Sequence, residues 1–210
     1  MKIIDILIPV RNEAENVGEL VERIDKTLKT AKQAYRIIFI DDHSTDGTWS
    51  LLNSLKKKYP LSIFQKKRLA GKSFSLLEAA SHATSEYVVV IDGDLQYPPE
   101  AIPSMIELAD ENQLIIAKRN SNPISNFIFG RLLFGTQFDI HSGLKVFKRE
   151  LFSHISTNEV TPWTFDVPLI ATAMQMGYRI AEVDIEFSSR LRKGSKLKYL
   201  KSSSERMSQA

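Results

Sequence analysis

Residues 86–100 read EYVVVIDGDLQYPPE, and this stretch decides the fold that we expect. Residues 86–91 form a short run rich in valine and isoleucine, which predicts a buried strand. The acidic turn Asp92-Gly93-Asp94 follows at once, and Pro99 lies where the next helix is expected to begin. Ligands of open α/β sheets bind at the carboxyl ends of strands, so we expect a binding site at this turn.

Strand patterns and helix patterns alternate along the first half of the chain. Such alternation is typical of parallel sheets that are covered by helices on both faces. We therefore predict an α/β fold with a mostly parallel central sheet. The strands are expected over residues 3–10, 36–40, 61–65, 86–91 and 114–118. The helices between them are expected near Val17, Trp49, Ser73 and Pro99.

The second half of the chain has a different pattern. Leu144 and Val146 alternate with their neighbours as in a strand. Residues 164–176 have helical spacing, and Gly177 is suited to end that helix. Residues 179–188 predict a last strand.

Size and composition predict one domain. The chain has 210 residues, of which 43% are hydrophobic and 25% are charged, enough for one sizeable core. We expect a single domain over residues 1–200 and a flexible tail over residues 201–210. The absence of cysteine excludes disulfides and thiolate chemistry. A net charge of +3 gives weak support for anionic partners.

We expect the protein to be soluble or peripheral to a membrane. The N-terminal run contains Asp5 and has no small-residue cleavage site, so we interpret it as a strand and not as a signal peptide. No apolar run approaches the ~18 residues of a spanning helix. The apolar residues 127–134 suit a prenyl chain and the membrane interface, or equally a core helix. Residues 190–201 carry six basic residues and no acidic one, which suits anionic lipid headgroups or a disordered basic tail.

The turn after the 86–91 strand carries the side chains that suit a metal ion. Asp92, Asp94 and Gln96 offer hard oxygen donors of the kind that Mg²⁺ or Mn²⁺ prefers. A divalent ion held there would bridge a diphosphate and neutralise the charge on a leaving nucleotide. The alternative is a solvated acidic turn.

A second acidic cluster, DDHSTDGT, occupies residues 41–48 after the second predicted strand. Asp41 and Asp42 are placed to accept hydrogen bonds from a base or from ribose hydroxyls. The alternative is helix capping, for which Ser44, Thr45 or Asp46 is suited. Capping leaves the two acids that precede it unexplained.

Taken together, these motifs resemble the family-2 glycosyltransferases with the GT-A fold. The resemblance is to polyprenyl-phosphate sugar transferases of the dolichol-phosphate mannose synthase type. It covers residues 3 to about 197, nearly the whole chain. The matching segments are IPVRNE at 8–13, DDHSTDGT at 41–48, DGDLQYPPE at 92–100, DIHSGLK at 139–145, EVDI at 182–185, Arg190 and GSK at 194–196.

The resemblance implies a GT-A, Rossmann-like fold and a role for each matching residue. Residues 1–118 would form the nucleotide-sugar-binding half and residues 119–200 the acceptor-binding half. Asp92, Asp94 and Gln96 would bind Mg²⁺ or Mn²⁺, and Asp94 and Asp139 would be catalytic. The nucleotide-binding residues would be Pro9, Arg11, Glu13, Asp41, Asp42, Lys72 and Asp92. The acceptor phosphate would be held by Arg119, Arg131, Arg190 and Lys196, because guanidinium and ammonium groups suit phosphate.

The reaction implied by the resemblance is transfer of a hexose with inversion, from GDP-mannose or UDP-glucose to a polyprenyl phosphate. A lipid phosphate is already anionic and needs no strong base, so positioning and electrostatics would dominate. The protein would lie at the cytoplasmic face of the membrane as a peripheral enzyme, and a membrane-protein partner is left open. One alternative acceptor is a hydroxyl of a polysaccharide or glycolipid, for which Asp139 would be the base.

Two further alternatives involve no catalysis. Arg11 replaces the family's tyrosine, the KRLAGK segment at residues 67–72 lacks its asparagine, and Asp184 replaces its proline. These departures suit a degenerate nucleotide-binding subunit. The basic residues near the C-terminus are the sole argument for a nucleic-acid binder, and we expect no nucleic acid as a partner.

Overall fold

The chain folds into a seven-stranded sheet with helices on both faces. The computed structural model describes residues 3–67, 70–120, 131–132, 135, 138–155 and 160–188. The strands are β1 (Ile4–Val10), β2 (Tyr35–Asp41), β3 (Leu61–Gln65), β4 (Tyr87–Val90), β5 (Leu114–Arg119), β6 (Lys145–Lys148) and β7 (Ile180–Ile185). The helices are α1 (Val17–Thr30), α2 (Thr48–Leu55), α3 (Lys72–His82), α4 (Ile102–Glu107), α5 (Leu151–His154) and α6 (Asp166–Gln175). Short 3₁₀ turns, Pro99–Ala101 and Leu108–Asp110, flank α4.

The sheet has the strand order β3-β2-β1-β4-β6-β5-β7. β1 pairs in parallel with β2 and β4, β2 with β3, and β5 with β7. β6 runs antiparallel to both of its neighbours, β4 and β5. The mostly parallel sheet is confirmed, with β6 as an antiparallel insertion. The strand order reverses between β1 and β4, which is the place where open α/β sheets form a ligand crevice.

Both faces of the sheet are buried, as expected for parallel strands. Ile6 and Ile8 of β1 pack with α1 on one face, whereas Leu7 packs on the other face with α3 and α6. This split follows from the two-residue period of a strand. The inner face of α1 matches the helical spacing in the sequence, since it buries Val17, Leu20, Val21, Ile24 and Leu28.

The boundaries in the second half differ slightly from those predicted. The expected helix over 164–176 is α6, and Gly177 follows it with a φ of +67°, as its predicted role requires. Of the apolar residues 127–134, the structure describes 131 and 132, and Leu132 is 79% exposed. The expected tail over 201–210 lies outside the described residues. In the part of the chain that the structure describes, no helix has the length and apolar character that crossing a membrane requires.

A buried carboxylate joins the amino-terminal end of β1 to β2 and to the loop before β4. Asp5 is fully buried and accepts hydrogen bonds from Arg36 Nε at 2.8 Å and from the backbone N–H groups of Thr84 at 2.6 Å and Ser85 at 2.9 Å. Burial raises the pKa of Asp5, but the hydrogen bonds from these three residues lower it by more, so the net pKa lies below its usual value.

We expect Asp5→Asn to lower the free energy of unfolding by about 2–4 kcal/mol at pH 7, because it leaves Arg36 without its buried anion. The folded pKa lies below the unfolded value of 3.8, so the contribution of Asp5 is fully present above that pH and is lost as the pH falls through the folded pKa. Urea unfolding measures both effects. Asp184→Asn is the control, since the Asp184 side chain is 90% exposed. Equal stability of the two variants would contradict this account.

Candidate active site

The turns that follow β1 and β2 are bonded to each other through side chains. The backbone N–H of Asn12 donates to Ser44 Oγ at 2.9 Å, and that of Glu13 donates to Thr48 Oγ1 at 2.9 Å. In the opposite direction, the backbone N–H of Thr45 donates to Asn12 Oδ1 at 2.7 Å. These contacts fix the acidic cluster after β2 against the end of β1.

The capping interpretation of this cluster is only partly correct. The N-cap residue of α2 is Gly47, with a φ of +90°, so no side chain caps the helix from that position. Asp46 instead accepts the N–H of Thr48 at 3.1 Å, and it also accepts the N–H of Ala14 at 3.2 Å. Asp41 and Asp42 take no part in a helix cap.

Strained backbone marks the same edge of the sheet. Asn12, His43 and Leu95 have φ values of +55°, +58° and +63°, and they lie in the turns after β1, β2 and β4 respectively. A left-handed conformation costs a non-glycine residue about 1–2 kcal/mol. Such residues concentrate at binding sites, where the surrounding structure holds them in place.

One cavity opens at the carboxyl ends of β1, β2 and β4, and residues from both acidic clusters line it. The two acidic clusters therefore share one cleft. Of the residues predicted to bind nucleotide or metal, the lining contains Pro9, Arg11, Glu13, Asp42, Lys72, Asp92 and Asp94. Asp41 ends β2 directly before Asp42 and is fully buried.

Two buried carboxylate oxygens at the end of β2 have no hydrogen bond to any residue that the structure describes. Asp41 Oδ2 accepts a long bond of 3.4 Å from the N–H of Ser44, whereas Asp41 Oδ1 accepts none. Asp42 Oδ1 faces Lys66 Nζ at 3.4 Å, an ion pair without an aligned hydrogen bond. Because buried polar atoms are normally bonded, these two oxygens are suited to donors from a ligand.

A lysine and an aspartate face each other across the cavity. Lys72 Nζ lies 2.5 Å from Asp92 Oδ1 and joins the first turn of α3 to the turn after β4. Burial lowers the pKa of Lys72, but the charges of Asp92 and Asp166 raise it by more, so the net pKa is raised. Lys72 is therefore a permanent cation beside the acidic turn.

Asp92 and Asp94 fit a divalent cation that is shared with a substrate. Among the described residues, no group of three or more acidic or histidine side chains could hold a metal ion. Mg²⁺ commonly takes one or two carboxylates and completes its shell with phosphate oxygens and water. Asp92 and Asp94 both line the cavity, so they supply the two carboxylates that such an arrangement needs.

Gln96 lies in the same turn but is not part of the cavity lining. The side-chain Nε2 of Gln96 donates to the carbonyl of Ser188 at 3.3 Å, and the backbone carbonyl of Gln96 accepts the N–H of Ser188 at 3.0 Å. These bonds join the acidic turn to the segment after β7. The metal-binding role of Gln96 stays a prediction.

Asp139 is paired with Arg119 in the structure. The sequence analysis gave them separate roles, Asp139 in catalysis and Arg119 at the acceptor phosphate. Arg119 donates to both carboxylate oxygens of Asp139, each at 2.7 Å, and Asp139 is fully buried. The Asp139 backbone N–H donates to Glu182 Oε1 at 2.8 Å, which adds β7 to the network. Burial lowers the pKa of Arg119, but the bond to Asp139 and the nearby charges of Tyr97, Asp139 and Asp166 together raise it by more, so the net pKa is raised. Neither Arg119 nor Asp139 is among the cavity-lining residues.

The other predicted phosphate-binding residues are not brought to the cavity by the described structure. Arg131 is exposed, and its carbonyl accepts the N–H of Gly135 at 3.1 Å. Arg190 and Lys196 lie outside the described residues. Their roles at the acceptor phosphate stay predictions.

The structure adds residues that the sequence analysis missed. Trp163 lines the cavity and is 50% exposed, a large apolar surface in a place where a ligand would cover it. Tyr97 packs against Gly143, and burial, assisted by the charge of Asp92, raises the pKa of Tyr97 to about 12. Tyr97 lies within the matching DGDLQYPPE segment at residues 92–100, and that position was the available signal.

A profile of the family described as Glycosyl transferase family 2 matches residues 5–160. The chain belongs to glycosyl transferase family 2. The match includes both acidic clusters, Lys72 and Asp139, so the residues that line the cavity are almost all within the family-2 region. The resemblance found in the sequence motifs is thereby confirmed.

Two relatives of this family-2 chain are named for lipid-phosphate acceptors. It is 30% identical over 213 residues to the dolichol-phosphate mannosyltransferase of Pyrococcus furiosus, covering 93% of this chain and 59% of the relative. It is 30% identical over 122 residues to the undecaprenyl-phosphate 4-deoxy-4-formamido-L-arabinose transferase of Proteus mirabilis, covering 57% and 37%. The chain thus spans less than two thirds of the length of either relative.

Solved structures confirm the GT-A fold of this family-2 chain. Glucosyl-3-phosphoglycerate synthase from Mycobacterium tuberculosis, in complex with Mn²⁺, UDP-glucose and phosphoglyceric acid, matches with a TM-score of 0.77 and 18% identity, over 95% of this chain and 74% of that one. The mannosyltransferase from Pyrobaculum calidifontis, in complex with GDP-mannose and Mn²⁺, matches with a TM-score of 0.71 and 21% identity, over 93% and 59%.

We expect Gly143→Ala to abolish metal-dependent nucleotide binding. A Cβ at this position would lie 2.1 Å from Asp92 Oδ2 and 2.7 Å from Tyr97 Cε2, so the Asp92 carboxylate would have to move. The test is the thermal shift produced by a nucleotide diphosphate with Mn²⁺. Gly18→Ala is the control, since its Cβ would meet nothing within 4 Å. If Gly143→Ala kept the wild-type thermal shift, nucleotide binding would not depend on the position that the Asp92 carboxylate has in the structure.

Proposed function

We propose that this chain is a metal-dependent glycosyltransferase that moves a hexose from a nucleotide diphosphate sugar to a polyprenyl phosphate. The observation that carries the proposal is the single cavity that joins Asp42, Lys72, Asp92 and Asp94 at the switch point of the sheet. The relatives named for dolichol phosphate and undecaprenyl phosphate support the acceptor class. The neighbours that hold UDP-glucose or GDP-mannose with Mn²⁺ support the donor class.

In this proposal the nucleoside of the donor lies toward β2 and its diphosphate toward β4. Asp41 and Asp42 have carboxylate oxygens suited to base N–H groups or ribose hydroxyls. Lys72 and the Asp92–Asp94 turn meet at the other side, where a diphosphate would find an ammonium group. GDP-mannose and UDP-glucose both fit this description.

A divalent cation held by Asp92 and Asp94, either Mg²⁺ or Mn²⁺, would neutralise charge on the leaving diphosphate. Lys72 adds a second positive charge that stabilises the same oxygens as the bond to the sugar breaks. An oxygen of the acceptor phosphate forms the new bond at the anomeric carbon. The electron pair of the broken bond leaves with the nucleotide diphosphate, and inversion follows from attack opposite the leaving group.

The pairing of Asp139 with Arg119 favours a phosphate acceptor over a hydroxyl acceptor. A hydroxyl must lose its proton, and Asp139 was the one carboxylate proposed for that task. In the structure this carboxylate is fully buried, accepts two hydrogen bonds from the Arg119 guanidinium and does not line the cavity, so it is not placed to take a proton from an acceptor there. A phosphate monoester oxygen is already anionic and needs no base.

We propose that the protein binds at the cytoplasmic surface of a membrane, where its cavity has access to the phosphate group of the lipid acceptor. The names of the relatives support a membrane-embedded acceptor. The basic residues of 190–201 provide charge for anionic headgroups, each worth about 1 kcal/mol near the surface.

Transfer to a lipid phosphate is tested with the full chain, Mn²⁺ and radiolabelled GDP-mannose or UDP-glucose. We expect label to enter vesicles that contain a polyprenyl phosphate. Matched vesicles that contain the free polyprenol of the same length should stay unlabelled, because the alcohol needs a base and Asp139, the carboxylate proposed for that task, is held by Arg119 outside the cavity lining. Glycosylation of hydroxyl sugars without any polyprenyl-phosphate product would overturn the proposed acceptor.

We expect Asp94→Ala to lower kcat by about 100-fold or more. Without this ligand the divalent cation would no longer neutralise the negative charge that develops on the leaving diphosphate. EDTA should stop the wild-type reaction, and added Mg²⁺ or Mn²⁺ should restore it. Asp184→Ala controls for the loss of an exposed carboxylate. Full activity of Asp94→Ala would remove this residue from the mechanism.

A further inference from the structure

The side chain of Lys66 is buried behind the donor cavity. This residue follows β3 directly, and its side chain is fully shielded from solvent. Burial lowers the pKa of Lys66, and the nearby Asp42 carboxylate raises it, with a net decrease. An ammonium group is seldom buried unless it is paired, so its partners explain why it is there.

Three oxygens surround the Lys66 ammonium. Its Nζ donates to the carbonyl of Gly71 at 2.7 Å and to Ser75 Oγ at 3.1 Å, and it lies 3.4 Å from Asp42 Oδ1. Ser75 Oγ also donates to the Gly71 carbonyl at 3.2 Å. Two of these oxygens accept hydrogen bonds from the ammonium, and the Asp42 carboxylate adds an ion pair.

These contacts hold the Asp42 carboxylate from two directions. Lys66 Nζ faces Oδ1, and the backbone N–H of Gly71 donates to Oδ2 at 2.8 Å. Asp42 lines the cavity at the side where we place the nucleoside. Its orientation is therefore set by Lys66 and by the Gly71 turn together.

The same contacts hold the turn that leads into Lys72. Gly71 has a φ of +132° and lies so close to Pro162 that a Cβ would be 2.5 Å from the Pro162 side chain. The next residue, Lys72, forms the 2.5 Å ion pair with Asp92. Lys66 thus connects the Asp42 side of the cavity to its diphosphate side through one short turn.

We propose that Lys66 is a positioning residue of the donor pocket, and this inference rests on the proposed function. Its ammonium fixes Asp42 and the Gly71–Lys72 turn in the geometry that receives a nucleotide diphosphate. Lys66 acts through these residues and does not itself line the cavity. Its substitution should therefore affect donor binding far more than the chemical step.

The test compares Lys66→Met, which removes the charge and keeps the length, with Lys67→Met, which changes the exposed neighbour. We expect Lys66→Met to raise the KM for the donor at least about tenfold, with less than about a threefold change in kcat and none in the KM for the acceptor. The thermal shift produced by a nucleotide diphosphate with Mn²⁺ should shrink in parallel. Lys66→Arg should recover part of the shift because it restores the charge.

A folded Lys66→Met with the donor KM and nucleotide shift of Lys67→Met would overturn the proposal. If Lys66→Met does not fold, Lys66→Gln carries the test, and we expect it to raise the donor KM at least about tenfold because it also removes the ammonium charge. An unchanged donor KM there would also count against the role.

The thermal shift separates this inference from the proposed function. Failure to transfer sugar to any acceptor, with a nucleotide shift that depends on Lys66, would reject the transferase and retain the positioning role. Absence of a nucleotide shift in the wild-type chain would reject the donor pocket and the role of Lys66 together.

Discussion

The structure depends on four ion pairs that hold carboxylates near the carboxyl ends of the strands. Buried charges are strongly unfavourable unless they are paired, so the sheet edge is stable only with these partners. The pairs are Asp42 with Lys66, Asp92 with Lys72, Asp139 with Arg119, and Asp166 with Lys145. The first two border the cavity, and the last two lie toward α6 and β7.

These pairs give the two sides of the site different properties. Asp42 and Asp92 line the cavity, where a ligand reaches them, and Asp42 Oδ1 accepts no hydrogen bond from a described residue. Asp139 is fully buried and held by both arms of a guanidinium, so it contributes structure more readily than proton transfer. This difference supports the proposed transfer to an acceptor that is already an anion.

Close backbone approaches make this geometry rigid. Gly71 packs against Pro162, and Gly143 packs against Asp92 and Tyr97, so that neither position has room for a side chain. Each contact brings together segments that are distant in sequence. Asn12 and Leu95 have left-handed backbone conformations, and the packing around their turns holds them in these unfavourable conformations. A preorganised pocket of this kind is suited to electrostatic stabilisation of a leaving diphosphate.

The sequence by itself determined the α/β alternation, the inner face of α1, the positions of both acidic clusters and the family, because hydrophobic periodicity and motif spacing are local properties. Only the tertiary structure decided that β6 runs antiparallel between β4 and β5, since a strand has the same two-residue period in either direction. It also decided that Arg119 pairs with Asp139 and that Lys66 is buried behind Asp42. Such pairings join residues that are far apart along the chain, and they exist only once the sheet has brought them into contact.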